Sequence, residues 1–478
     1  MDAERRIAAL EAELAAKDAR IAEQDARIAE LTAQVAALMA QVAALTERLN
    51  RNSSNSNKPP SSDPPSVRAE RSGKGASGGK RGGQPGHRGS QRALLPAEQV
   101  DEFVNVYPPQ CENCWMKLPE TSDPAVLPQR VQTTELPKVK PHTTEFLVHA
   151  VVCPCCEHRT WGPYDRVPTS PFGPRLSSAV ALLTGVYHVS RRTTAELLRE
   201  LCGVQISLGA LSAVEARVSE AVVPAVDEAW QQVLGAEVKH TDGTSWFRAG
   251  LTCSLWTVAS AAATVFKIVK DGKKETLCAM FDRLVGILVS DRAGALGFWA
   301  MEQRQICWAH LLRKFVSFAE REQQAGEIGR ELLDYCRILF AYWHDLKAGH
   351  VSRAGFRQLM VPLRPQVELA LERAVAANID EVSGSCADIL EHRAALWTFI
   401  EHEGVEPTNN HAEQQLRSFV LWRKRSYGTQ SERGDLFAAR LMTVAHTARK
   451  QGKNVLAFLT ECCTAARTGV PPPSLFEA

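Results

Sequence analysis

Between residues 237 and 322 the apolar pattern changes period several times, and that order limits the fold more than any other feature. "EVKHTDGTSWF", "SLWTVAS" and "TVFKIV" are β-rich runs joined by short turns. They predict an antiparallel meander. "KETLCAMFDRL" then reads as helix, "GILVSD" as a buried strand, "GALGFWAME" as helix, "RQICW" as strand and "AHLLRKFVSFAERE" as helix. The order β-β-β-α-β-α-β-α describes an α/β core with a mixed sheet and flanking helices. Asp242 falls on its first strand and Asp291 at the end of its fourth.

A chain of 478 residues is too long for one such core, so a multidomain protein is expected. Residues 1–50 repeat every seven. One seam holds Ile7, Leu14, Ile21, Ile28, Val35, Val42 and Leu49; the other holds Leu10, Lys17, Gln24, Leu31, Leu38 and Leu45. Ile and Val at the first position with Leu at the second favour a parallel two-stranded coiled coil, hence a homodimer. Residues 51–98 change character. "NSSNSNKPPSSDPP" has little to bury, and "RSGKGASGGKRGGQPGHRGSQR" is Gly-rich and basic. Such composition predicts a disordered arm when free. Its Lys80, Arg81 and Arg88 suit a polyanion, because each neutralised phosphate releases counterions.

Thirteen cysteines accompany a charged start, "MDAERRIAALEAELAAKDAR", which is not an export signal. A cytoplasmic protein with reduced thiols is therefore expected. Cys111 and Cys114 in "CENC", with Cys153 and Cys156 in "CPCC", read as one four-cysteine Zn²⁺ site in a small ribbon over residues 99–165. Cys155 and His158 are alternative ligands. "TEFLVHAVV" reads as a strand leading into the second knuckle. Residues 166–235 are helical in pattern: "RLSSAVALLTGVYHVS", "RTTAELLRELCG" and "SLGALSAVEARVSEAVVPAVDEAWQQVL". The Gly-containing turn in "LCGVQISLGAL" has the form of a helix-turn-helix and marks a candidate DNA-binding region. The net charge of +2 says little by itself, and no apolar run approaches a membrane span.

Near the C-terminus, "NNHAEQQLR" places one carboxylate, Glu413, on a helix that runs into "SFVLWRKRS". The plain reading is an i,i+4 pair with Arg417, worth about 0.3–0.5 kcal/mol. Asp242-Gly243 is likewise a good hairpin turn, and Asp291 a good helix cap. Together they allow a sharper reading. Three carboxylates meeting from remote segments repel one another unless cations lie between them. Hard oxygen ligands select Mg²⁺ or Mn²⁺, and a pair of such ions suits phosphoryl transfer. Arg417, Arg423, Lys424 and Arg425 make the helix after Glu413 basic.

At this point the chain resembles the insertion sequence sixty-six family of transposases. "NSSNSNKPPSSD", "GGQPGHRG" followed by "LLP", the paired knuckles, "HTDGTSW", "LVSDRAG", "QICWAHLLRKF" and "NNHAEQQLR…WRKRSYG…S" stand in family order over nearly the whole length. The resemblance implies an RNase H-like core, a DDE transposase acting on double-stranded DNA at element ends, and a triad of Asp242, Asp291 and Glu413. It also implies that Arg417, Arg423, Lys424 and Arg425 hold a DNA backbone beside the acids, while Trp422 and Tyr427 would fill core or stack on bases. It divides the core into residues 236–323, a helical insertion at 324–404, and a last catalytic helix with a C-terminal helical region at 405–478. It implies a bacterial, nucleoid-associated protein and leaves room for accessory proteins of the same element. Two positions depart from the family pattern: Gly243 stands where Glu is common, and Arg292-Ala293 where Gly-Tyr is common. Cys307 and His310 form a C-x-x-H, read as structural support behind the acids. The alternatives are a DNA-binding protein without activity and a related nuclease or integrase.

Overall fold

The computed structural model describes residues 2–56, 63 and 92–476. It divides into two compact units. The first comprises residues 1–69, 170–189 and 212–478; the second comprises 70–169 and 190–211. The helical stretch 166–235, expected as one region, is therefore shared between them.

In the first unit the three β-rich runs form β3 (Val238–Arg248), β4 (Leu251–Ala259) and β5 (Thr264–Val269), numbered after a hairpin in the second unit described below. β3 pairs antiparallel with β4, and β4 with β5, as the tight turns require. β6 (Ile287–Ser290) and β7 (Arg304–Ile306) add in parallel on the other side of β3, giving the order β5-β4-β3-β6-β7.

"GALGFWAME" is not the expected helix. It forms two short 3-10 turns, Gly294–Leu296 and Met301–Gln303. The Trp299 indole N–H donates to the carbonyls of Gly286 (3.2 Å) and Gln303 (3.1 Å), so the crossover is pinned to both strand ends. That leaves no length for a helix.

Helices cover both flanks of the sheet. α1 is Asp2–Asn50, and its described seam residues, among them Ile21, Ile28, Val35 and Leu38, are exposed. The polar stretch after it is not wholly without structure. Ser53 N–H donates to Asp63 Oδ1 (2.7 Å) and Asn55 Nδ2 to Glu320 Oε2 (2.7 Å), burying Ser53, Asn55 and Asp63. Lys80, Arg81 and Arg88 lie outside the described residues.

α2 is Pro174–Ala181, ending in a widened turn over Leu182–Val186; α3 is Arg191–Cys202. The single helix expected over 207–234 is two, α4 (Leu208–Ala221) and α5 (Val223–Gly235), because Pro224 cannot donate a helical hydrogen bond. α6 (Lys274–Phe281) links β5 to β6, and α7 (Trp308–Ala319) follows β7.

The predicted insertion is helical: α8 (Gln323–Lys347), α9 (Arg353–Ala376), α10 (Val382–Glu391) and α11 (Thr398–Glu401). It shares a core with Ile287, Val289, Ile306 and Trp308. The buried Gln305 side chain stitches it to edge strand β7 through Leu396 O (3.1 Å) and Phe399 N–H (2.8 Å).

α12 (Asn410–Ser426), α13 (Glu432–Lys450) and α14 (Val455–Thr468) complete the unit. α13 closes the opposite edge. The Phe266 and Thr264 N–H groups of β5 donate to Thr443 Oγ1 (3.0 Å) and Thr447 Oγ1 (3.1 Å), so an open strand edge is satisfied by helix hydroxyls.

The second unit holds the hairpin β1 (Ala150–Val152) and β2 (Arg159–Trp161), together with α3 and the start of α4. The strand expected over residues 144–152 is thus confined to its last three residues. Gly203, at φ +66°, caps α3 in the left-handed conformation, with its N–H donating to Arg199 O (3.0 Å). Among the described residues no helix is long and apolar enough to cross a membrane.

Candidate active site

Asp242 and Asp291 are brought together by strand register. β3 pairs in parallel with β6, His240 opposite Val289, so two residues further on each chain the acids stand side by side. Asp291 lies just beyond β6, its Oδ1 accepting from Ala293 N–H (3.0 Å) and its carbonyl held by Arg304 Nη2 (3.1 Å). Asp242 Oδ1 accepts from Gly243 N–H (2.9 Å).

Gly243 has a local reason. It lies opposite Trp256 on β4, and a Cβ there would sit 2.7 Å from the indole. Arg292, the second departure, is committed to Asp388 on α10.

Glu413 enters from the first turn of α12, and Asn409 is what docks that turn. Asn409 is buried. Its Nδ2 donates to Thr241 O (2.7 Å) and its backbone N–H donates to Cys307 Sγ (3.1 Å). Cys307 N–H in turn donates to Ser290 O (2.9 Å), and Trp308 N–H to Pro407 O (2.8 Å). The neighbours of all three acids are therefore tied by one hydrogen-bonded chain: Thr241 beside Asp242, Ser290 beside Asp291, and Asn409 one turn before Glu413.

The expected pair of Glu413 with Arg417 is not formed. Glu413 Oε1 lies 3.5 Å from Arg313 Nη2 and 3.7 Å from His310 Nδ1, both on α7. Cys307, His310 and Glu413 are the one group of three potential ligands among the described residues whose ligand atoms lie within 4.8 Å of one another.

Electrostatics follow the geometry. Burial, then the charges of Asp291 and Glu413, push the Asp242 carboxyl up to about 7. Burial and Asp291 also raise Glu413, while Arg313 opposes the shift. Burial and the Arg313 guanidinium hold His310 down at about 4, so it is neutral near pH 7. An acid whose charge two neighbouring acids disfavour suits a cation.

The basic residues of α12 separate into two groups. Arg417, Lys424 and Arg425 are exposed. Arg423 instead bonds to β3, with Nη1 donating to Thr244 Oγ1 (2.9 Å) and Ser245 Oγ (2.6 Å). Trp422 packs between His188, Trp246 and Phe419, whereas Tyr427 is exposed. Past the helix, Gly428 (φ +93°) lets the chain run against Phe247 O, where a Cβ would sit 2.1 Å away.

The two cysteine knuckles have one local design. Cys111 N–H donates to Met116 O (2.8 Å) and Trp115 N–H to Cys111 O (2.9 Å); Cys153 N–H donates to His158 O (2.9 Å) and Glu157 N–H to Cys153 O (2.9 Å). Trp115 and Glu157 both take positive φ, 60° and 58°. The backbone N–H groups of Cys114 and Asn113 lower the Cys111 thiol, and those of Cys155 and Cys156 lower Cys153. Each knuckle thus sets its two cysteines on one tight hydrogen-bonded turn. The structure does not bring the two pairs within ligating distance of each other.

Sequence reasoning noticed Cys307 and His310 but missed Arg313 and Asn409. For Asn409, its neighbour Asn410 and the helix start offered the only signal, a polar pair ahead of a helix whose cap the side chain does not make.

Residues 169–435 match the model of the Transposase IS66 family, and residues 11–93 match a family of unknown function. No curated protein matches the chain. Since the first match covers more than half of the 478 residues and includes all three acids, the chain belongs to the IS66 transposase family.

Proposed function

We propose that the protein is a DNA transposase that cuts and joins strands at the ends of a bacterial insertion sequence, using Asp242, Asp291 and Glu413 as ligands for divalent metal. Strand register that sets Asp242 beside Asp291 is the observation that supports the reading most, together with a Glu413 near enough for its charge to raise Asp242, although the ligand atoms of the three do not all lie within 4.8 Å of one another. The sheet order β5-β4-β3-β6-β7, with three antiparallel strands followed by two parallel ones, supports an RNase H-like core. The donor set fits Mg²⁺ or Mn²⁺: hard oxygens that lose their mutual repulsion once a cation is shared. When bound, two such ions would supply an activated attacking oxygen and charge stabilisation for the leaving one.

The chain's own residues do the positioning. Arg304 holds the carbonyl of Asp291, and Asn409 holds α12 against β3. Neutral His310 fills the space beside Glu413. Arg417, Lys424 and Arg425 extend along the exposed side of the same helix and suit phosphates, as do Lys80, Arg81 and Arg88 in the arm. Cys111, Cys114, Cys153 and Cys156 would hold one structural Zn²⁺ in a ribbon that binds end DNA. The exposed seam of α1 would pair with a second copy; a chain lacking residues 1–50 that keeps its dimeric mass in light scattering would refute that part.

The test uses purified protein, Mg²⁺ and DNA carrying the element's ends. Asp242→Asn, Asp291→Asn and Glu413→Gln each remove one charge and nearly keep shape. Cleavage and joining are expected to fall by several orders of magnitude, about the scale of losing several kcal/mol of transition-state stabilisation. End binding is expected to persist. A Glu413→Gln protein that cuts normally would return the third acid to the search, with Glu401, Glu403 and Glu406 next in line.

A further inference from the structure

We propose that Arg313 is a placeholder cation: it occupies Glu413 in the metal-free protein and, once displaced, becomes the donor that grips the phosphate being attacked. The inference deepens, and rests on, the reading of the three acids as metal ligands.

Arg313 Nη2 lies 3.5 Å from Glu413 Oε1, and its charge also favours ionisation of Asp242. One cation therefore serves two acids that otherwise repel. The other guanidiniums nearby are committed elsewhere. Arg292 pairs with Asp388, Arg304 bonds to Ser290 Oγ and Asp291 O, and Arg423 bonds to Thr244 and Ser245. Arg313 differs because its acidic partner is itself a proposed metal ligand.

Its attachment leaves the head group able to turn. Nε donates to Ala309 O (3.2 Å) on its own helix, which fixes the stem, while Nη2 makes only long contacts, 3.4 Å to His310 Nε2 and 3.5 Å to Glu413 Oε1. A guanidinium has five donors in a planar fork and cannot lose its charge. If Glu413 takes a divalent ion, attraction between Glu413 and Arg313 is replaced by repulsion between two cations. The fork must then find another anion. A DNA phosphate brought to the acids is the one the reaction supplies.

This arrangement predicts a split that a mere structural prop would not show. Arg313 competes with metal, so removing it tightens metal binding; Arg313 also serves the reaction, so removing it slows chemistry.

The experiment titrates Mn²⁺ into full-length protein without DNA by calorimetry, in wild type, Arg313→Gln, Arg313→Lys and Asp242→Asn, and then measures cleavage of end-bearing DNA at saturating metal. Arg313→Gln is expected to bind Mn²⁺ roughly tenfold tighter, the worth of a partly buried ion pair that metal need no longer displace, yet to cut at least tenfold more slowly. Arg313→Lys keeps the charge but loses the fork. It is expected to bind Mn²⁺ as wild type does and still to cut slowly, and it carries the test if the Gln protein does not fold. Weaker metal binding in Arg313→Gln, or an unchanged rate at saturating metal, would overturn the inference while leaving the acids as ligands. Wild-type Mn²⁺ binding unaffected by Asp242→Asn would instead overturn the triad itself.

Discussion

Two parts of this chain present candidate metal ligands, and they are built in opposite ways. Each cysteine knuckle is local. Two sulfurs three positions apart are set by one tight turn, closed by backbone hydrogen bonds within six residues. The acids come from positions 242, 291 and 413, and nothing local unites them. They are joined by a register, a buried asparagine and a buried cysteine. The Cys111 and Cys153 thiols are shifted toward their charged form by neighbouring N–H groups, whereas Asp242 is shifted away from its charged form by burial, Asp291 and Glu413, and Glu413 by burial and Asp291. If the knuckles share a Zn²⁺, a ribbon with so little buried apolar surface would need that metal to fold. At the acids, on the proposed reading, a metal would relieve repulsion and serve chemistry instead.

Removing metal from the first part is therefore expected to have the largest effect. Cys111→Ser should lose the Zn²⁺, one ion per chain, and unfold the ribbon, since structural zinc contributes on the order of 10 kcal/mol of folding free energy. The core should keep its own thermal transition and its Mn²⁺ binding, while affinity for end DNA falls. Full zinc content in that variant, by elemental analysis, would break the comparison at its cysteine side.

The second expectation concerns the acid side without metal. An acid whose pKa is raised on folding binds more protons folded than unfolded. Its contribution is favourable below the unfolded value near 4 and is lost as pH rises toward the folded value of about 7. The metal-free protein should thus lose stability between about pH 4 and 7 through this group, by up to about 4 kcal/mol. Asp242→Asn should remove that slope, and saturating Mg²⁺ should flatten it in the wild type. Denaturant midpoints at several pH values decide it; parallel curves for wild type and Asp242→Asn would show that the acids do not repel as described.

How much of this was legible beforehand depends on range. β-branched and aromatic runs separated by short turns expose β3, β4 and β5 directly, whose buried residues run consecutively rather than alternating. Knuckle spacing exposes the cysteine turns. What lay hidden was set by tertiary partners. Gly243 is explained by Trp256 thirteen residues away, and Arg292 by Asp388. The helix expected at "GALGFWAME" gives way because Trp299 is held at both strand ends. For Glu413, helix spacing offered Arg417 as the plain partner, whereas packing of α12 on α7 supplies Arg313.

Asn409 tests whether remote assembly depends on one clamp. Asn409→Ala deletes the bond to Thr241 O and leaves buried polar groups unpaired, including His240 Nδ1 now 3.3 Å from Asn409 Oδ1. A loss of about 1–3 kcal/mol is expected, read from urea unfolding. Mn²⁺ affinity should fall with it, because Glu413 loses its fixed position. A destabilised protein with unchanged Mn²⁺ affinity would mean that the helix is held for stability alone and that the acids find one another without it.

The smallest effect separates two arginines six residues apart on α12. Both were expected to hold DNA. Arg423 is bonded to Thr244 and Ser245 on β3, beside Asp242, while Arg417 is exposed. A side chain that already has its acceptors gains little from a phosphate, since it must first give them up. Arg417→Ala is therefore expected to weaken end binding modestly and to reduce the slope of log affinity against log salt by about 0.9, one phosphate contact. Arg423→Ala is expected to leave that slope alone and to lower the melting temperature, because it unties the helix from the strand that carries the first acid. The reverse pattern, a shallower salt slope for Arg423→Ala and none for Arg417→Ala, would mean that DNA pulls Arg423 off the sheet, so that the strand-to-helix bond is exchanged for a phosphate as the complex forms.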